Sequence, residues 1–104
     1  MTLQERLEGT TLIGENAEKI ESLKKSELKI DRLLAYMMSG RPVTGAIMVE
    51  KFHIYSYRDA IFSLKKKGYD ISRKDVHEKK SDHIVWWLSG FSENFVMERI
   101  ETLW

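Results

Sequence analysis

Between Ser56 and Tyr69 the sequence spells out a helix with punctuation at both ends, and no other stretch limits the possible folds as much. Ser56 stands where an N-cap belongs, and Asp59 is placed to return a carboxylate to the open amides of the first turn. Tyr57, Ala60, Ile61 and Leu64 recur at i, i+3, i+4 and i+7, which makes one apolar stripe. Lys65, Lys66 and Lys67 fill the last turn, where cations complement the negative end of the helix dipole. Gly68 can then adopt the left-handed conformation that stops the helix. The face opposite the stripe carries Arg58, Asp59, Phe62, Ser63 and Lys66, an unusual mixture for a surface that meets only water.

A chain of 104 residues, 42% apolar and with one proline, has enough material for a single domain with a modest core. The absence of cysteine removes both a disulfide framework and a thiolate metal site. No run approaches the length of a membrane span, and the polar stretch Met1–Gly9 does not read as a signal peptide, so a cytoplasmic protein is expected.

The net charge of +1 conceals an uneven distribution. Residues 1–40 hold six Lys and Arg against seven Asp and Glu, and residues 84–104 hold one against three. Residues 41–83 hold ten against six, a local excess of +4, in the part of the chain where a nucleic-acid reader needs it.

Residues 1–27 read as an extension. The pattern gives a short leading turn, interrupted by Gly9-Thr10-Thr11 and Gly14, and then a loosely docked helix from about Asn16 to Lys25. From residue 28 the signals strengthen. Ser26 is a candidate N-cap for a helix carrying Leu28, Ile30, Leu33, Leu34, Met37 and Met38, which Gly40 stops and Pro42 keeps from restarting. After the turn Arg41-Pro42-Val43, Thr44 caps a short helix from Gly45 to about Phe52, and His53-Ile54-Tyr55 leads into the Ser56 helix. Two short helices joined by so brief a turn outline a helix-turn-helix, whose second helix enters the DNA major groove.

Residues 69–76 and His83–Leu88 read as two strands around a turn-forming segment from His77 to Asp82. A hairpin directly after the second helix is a wing, and Arg73, Lys74, Lys79 and Lys80 are its phosphate-seeking charges. Trp86 and Trp87 fall on opposite faces of the second strand, which predicts one in the core and the other partly exposed, packed beneath a terminal helix or stacked on a base.

These residues together resemble the small winged helix-turn-helix domains frequent in phage and prophage genomes. That family runs Leu-x-Tyr-Leu, then Gly-x-x-(Ile/Val)-Thr, a short helix ending in Phe, and a helix closing on Ile-x-x-Leu-(Arg/Lys)-Lys-x-Gly-Tyr-x-Ile before its hairpin. Here the matching residues are Leu34-Ala35-Tyr36-Met37, Gly40 to Thr44, Phe52, and Ile61 to Ile71, with Val85-Trp86-Trp87-Leu88 closing the hairpin. The resemblance covers about residues 28–89 and implies a winged-helix fold, mainly α with a small β-hairpin, and DNA binding. The chain has Ala60 and Ser63 where the family often has Arg and Asp, so any pairing between those two groups is missing.

Residues 90–104 lie beyond it. Ser92 caps a predicted helix from Glu93 to about Leu103, and Phe91 is placed to pack on Val96 as a hydrophobic staple. Phe95, Val96, Met97, Ile100, Leu103 and Trp104 supply more apolar surface than a lone terminal helix can expose. The helix either folds back, for example onto the 16–25 helix, or joins a second copy in a homodimer.

No Gly-rich phosphate loop, His-Glu-x-x-His pair or glycine-flanked nucleophilic serine is present, so no enzyme, cofactor or metal is expected. His53, His77 and His83 are scattered over a turn and the wing. The expected partner is double-stranded DNA. Arg58 and Ser63 are assigned to base edges, and Thr44, Tyr55 and Ser56, at helix starts, to phosphates. Lys65, Lys66, Arg73, Lys74, Lys79 and Lys80 supply the salt-dependent affinity. The expected role is that of a phage or prophage transcriptional regulator or accessory DNA-binding factor, with helix 56–67 in the major groove and wing 72–83 on the backbone. The rival reading is a non-catalytic protein-interaction module on the same scaffold, binding a host or phage protein through Phe62, Phe95, Ile100, Leu103 and Trp104. An exposed Phe among charges suits a protein contact as well as it suits a thymine methyl.

Overall fold

Two buried clusters lie on opposite faces of one β-hairpin, and adjacent tryptophans belong to different clusters. In the computed structural model, which describes residues 1–78 and 81–100, the chain order is α1 (Leu3–Glu15), α2 (Ala17–Lys24), α3 (Lys29–Met38), α4 (Gly45–Phe52), α5 (Tyr57–Lys66), β1 (Ile71–Glu78), β2 (Ser81–Leu88) and α6 (Glu93–Met97). The strands pair antiparallel, with Arg73 opposite Trp86 and Ser72 opposite Trp87. Because successive side chains alternate across a strand, Trp86 faces α3, α4 and α5, while Trp87 faces α1 and α6. Both are buried, at 5% and 7% exposure, so the partly exposed tryptophan expected from the alternation does not occur. A second layer covers the other face.

The main cluster forms where the amphipathic stripes meet. Leu33, Leu34 and Met37 of α3, Met48 and Phe52 of α4, and Ala60, Ile61 and Leu64 of α5 pack around Trp86. Tyr36 lies edge-on to Phe52, with ring centroids 5.3 Å apart, and burial pushes its phenol up. Val43 does more than turn the chain. Its amide and carbonyl pair with those of Trp86 at 2.8 and 2.9 Å, adding a one-residue third strand that pins the start of α4 to the hairpin.

The helix boundaries follow local chemistry. The Thr44 oxygen accepts the Ile47 N–H at 3.2 Å and caps α4. α5 ends with Gly68 at φ 99°, and the Gly68 and Tyr69 amides reach back to the carbonyls of Lys65 and Leu64 at 3.0 and 3.2 Å, a Schellman closure. Its start is different. The Ser56 side chain makes no capping bond, so the reciprocal cap expected from Ser56 and Asp59 is absent. Leu28, not Ser26, is the N-cap of α3, although the Ser26 hydroxyl accepts the Leu28 N–H and donates to Asp31 at 2.7 Å. The strands are longer than expected. Residues assigned to the turn, His77, Glu78, Ser81 and Asp82, belong to the ladder.

The termini depart most from expectation. In place of a short leading turn there is a 13-residue helix, opened by a capping box between Thr2 and Glu5. A hydrogen bond with the Ser92 side chain, then one from the Thr2 backbone, hold the Glu5 carboxyl below the usual carboxylate range. Gly9 does not break this helix, because the missing side chain makes room for Phe95. A Cβ at Gly9 would lie 2.5 Å from the Phe95 ring. Gly40 flanks the same ring from the other side, where a Cβ would lie 2.6 Å away. α6 is capped by the Ser92 hydroxyl as expected but ends at Met97, well short of Leu103. It folds back onto α1 rather than onto the 16–25 region. Phe91 stacks on Phe95 at 5.6 Å, and Arg99 donates to the Ser39 carbonyl at 2.8 Å.

Gly40 sits at φ 75°, so Gly40→Ala combines left-handed strain with overpacking against Phe95. The substitution is expected to destabilise the protein by roughly 2–4 kcal/mol, read as a lower urea midpoint with an unchanged slope.

Candidate nucleic-acid interface

α4, the first turn of α5 and the hairpin meet along an open cleft of roughly 880 Å³. Thr44, Gly45 and Ala46 at the start of α4 form one wall, and Arg73, Asp75 and His77 of β1 form the other. Tyr57 and Trp86, with centroids 6.2 Å apart, lie between them. Gly45 is close under Tyr57, since a Cβ there would meet the ring at 2.9 Å. The cleft therefore rests on two contacts that tie α4, α5 and β2 together.

Arg58 and Arg73 are brought to the same place from different elements, and both also line a smaller hollow with Phe62 and Lys65. Arg73 is held by Asp75 at 3.0 Å, an ion pair exposed enough to be worth at most about 1 kcal/mol. Among the described residues Arg58 and Lys65 have no ion-pair partner. Lys66 places its ammonium 4.8 Å from the centroid of the Phe62 ring. His77 Nδ1 lies 3.1 Å from an Asp82 carboxylate oxygen near the outer end of the strands, and both line the cleft.

Other expected site residues do not join this group. Lys74 faces away from Arg73, on the α6 side of the hairpin, where it is paired with Glu93. Ser63 is exposed but lies five residues beyond Arg58, about 140° around the helix axis. Thr44 is buried with its oxygen engaged in the cap, whereas Tyr55 (70% exposed) and Ser56 are open at the start of α5. Lys79, Lys80, Leu103 and Trp104 lie outside the described residues. Of the expected protein contacts, Phe62 is 58% exposed and Ile100 is half-buried. Phe95, at 4% exposure, is a core residue and offers nothing to a partner.

Sequence reasoning missed Tyr57 and Trp86 as the floor of the cleft. The alternation of the two tryptophans was the available signal, but which ring faced the helices depended on register. Among the described residues, no group of His, Asp and Glu is placed to hold a metal, and no helix is long and apolar enough to cross a membrane.

Two helices in helix-turn-helix order, followed by a hairpin that returns to Val43, define a winged helix-turn-helix. Residues 29–83 match the winged helix-turn-helix domain family, a little over half of the chain, and the protein belongs to that family. No curated protein and no solved structure matches the chain at a significant level.

Proposed function

We propose that the protein binds double-stranded DNA, with α5 in the major groove and the hairpin against the adjoining backbone. The observation that carries this reading is the convergence of Arg58, Lys65 and Arg73 from α5 and β1 on one hollow, with Arg58 and Lys65 in no ion pair among the described residues. Arg58 is the base reader, and Ser63 can reach only the far flank of the groove. Tyr55, Ser56 and the amides of the first turn of α4 meet phosphates, with Thr44 ordering that turn. Lys65, Lys66 and Arg73 supply sequence-blind attraction, joined by Lys79 and Lys80. Lys74, already bound to Glu93, contributes least. A place in phage or prophage gene regulation, as repressor, activator or accessory factor, rests on the resemblance of the Leu64–Ile71 segment. No catalytic role is proposed.

Fluorescence anisotropy with a random-sequence duplex at 50 and 200 mM salt tests the reading, and affinity is expected to fall at least tenfold, about the loss produced by two phosphate contacts. Arg73→Ala should lower the log–log salt slope by about 0.9, and Lys74→Ala should leave it nearly unchanged.

The second reading, a protein-interaction module, is favoured by exposed Leu3 and Leu7, one turn apart on α1, together with Phe62. It predicts no duplex binding even at low salt, and pull-down of a partner that Leu7→Glu abolishes. A homodimer through the C-terminal residues would have to form without Phe95, which is spent inside the fold.

A further inference from the structure

Phe62 is the largest apolar side chain on the outward face of α5, and among the described residues it joins neither buried cluster. Two residues of helix turn a side chain through about 200°, so Phe62 points away from both Ala60 and Leu64, which are buried. Its ring lies among cations, with Lys66 over one side and Arg58 and Lys65 beside it in the same hollow.

A protein partner would be expected to meet a broader apolar centre depleted of lysine. An isolated ring framed by three cations fits a polyanion carrying one small apolar feature, and the major groove of DNA has such a feature in the C5 methyl of thymine. Arg58 and Phe62 are one turn apart, roughly 6 Å along the axis, which spans one or two base steps of about 3.4 Å. We infer that Phe62 is a specificity residue reading a thymine methyl within two base pairs of the guanine contacted by Arg58. The inference rests on the DNA-binding reading. In this arrangement Lys66 steadies the ring and is available to a phosphate.

The test begins with wild-type protein and a randomised duplex pool, from which the preferred duplex is selected. Each thymine of that duplex is then replaced singly by deoxyuridine, which removes only the methyl group. At one thymine close to a guanine, the wild type is expected to lose about fourfold in affinity, the worth of one buried methyl. Phe62→Ala should bind the thymine and uracil duplexes equally. Because the ring is largely exposed, this variant should melt with the wild type, and Phe62→Leu should restore part of the discrimination. Indifference of the wild type to every uracil, or the same penalty in Phe62→Ala, would overturn the inference while leaving DNA binding intact. Failure of the wild type to bind any duplex at low salt would overturn both readings.

Discussion

Replacing Phe95 with alanine is expected to remove about 3–5 kcal/mol of stability, the usual cost of emptying a buried phenylalanine site. For a domain of this size that is a large share of a total near 5–15 kcal/mol. The ring is 4% exposed, stacked on Phe91 and enclosed by glycines of two different segments, Gly9 in α1 and Gly40 after α3. Neither glycine has a side chain that can swing into the void, so the site relaxes poorly and the cost should sit at the upper end. Urea unfolding followed by tryptophan fluorescence provides the measurement. A loss under 1 kcal/mol, or two separate transitions, would mean that α1 and α6 do not share the cooperative unit of the winged helix.

The second large effect concerns Arg58. Arg58→Ala is expected to weaken binding to the selected duplex by about 10- to 100-fold, the range of one two-pronged arginine–guanine contact. Binding to random duplex should fall by much less, because only one of several phosphate-seeking charges is lost. The variant should unfold like the wild type, since among the described residues Arg58 forms no ion pair and its side chain is exposed. Equal loss on both duplexes would make Arg58 a backbone contact. No loss on either would remove α5 as the reading helix.

The elements that could be read in advance were those governed by near neighbours in the chain. The stop of α5 at Gly68, the Thr44 cap and the apolar stripe Ala60, Ile61 and Leu64 depend on side chains and amides within a turn or two of one another, and they occur as expected. Local signals failed where a distant group altered the balance. Gly9 in a polar stretch reads as a break, yet it lies inside a helix because Phe95 occupies its missing side chain's space. Ser56 has the right identity for a cap, but at φ −90° and ψ 59° its side chain makes no capping bond.

The candidate site divides along the same line. Arg58, Phe62 and Lys66 could be assigned to the outward face of α5 from helical spacing alone. Arg73 and Lys74, neighbours in sequence, looked equivalent until pairing opposite Trp86 and Val85 sent one toward the cleft and the other to Glu93. The amino-acid sequence by itself determined the helix-turn-helix, the hairpin after it and the concentration of positive charge there. Periodicity, capping and charge are written residue by residue. Tertiary structure alone decided the hairpin's register, the burial of both tryptophans and the use of Phe95 as a wedge between two glycines. Each of these is a choice among faces, settled by which surfaces far apart in the chain exclude water together.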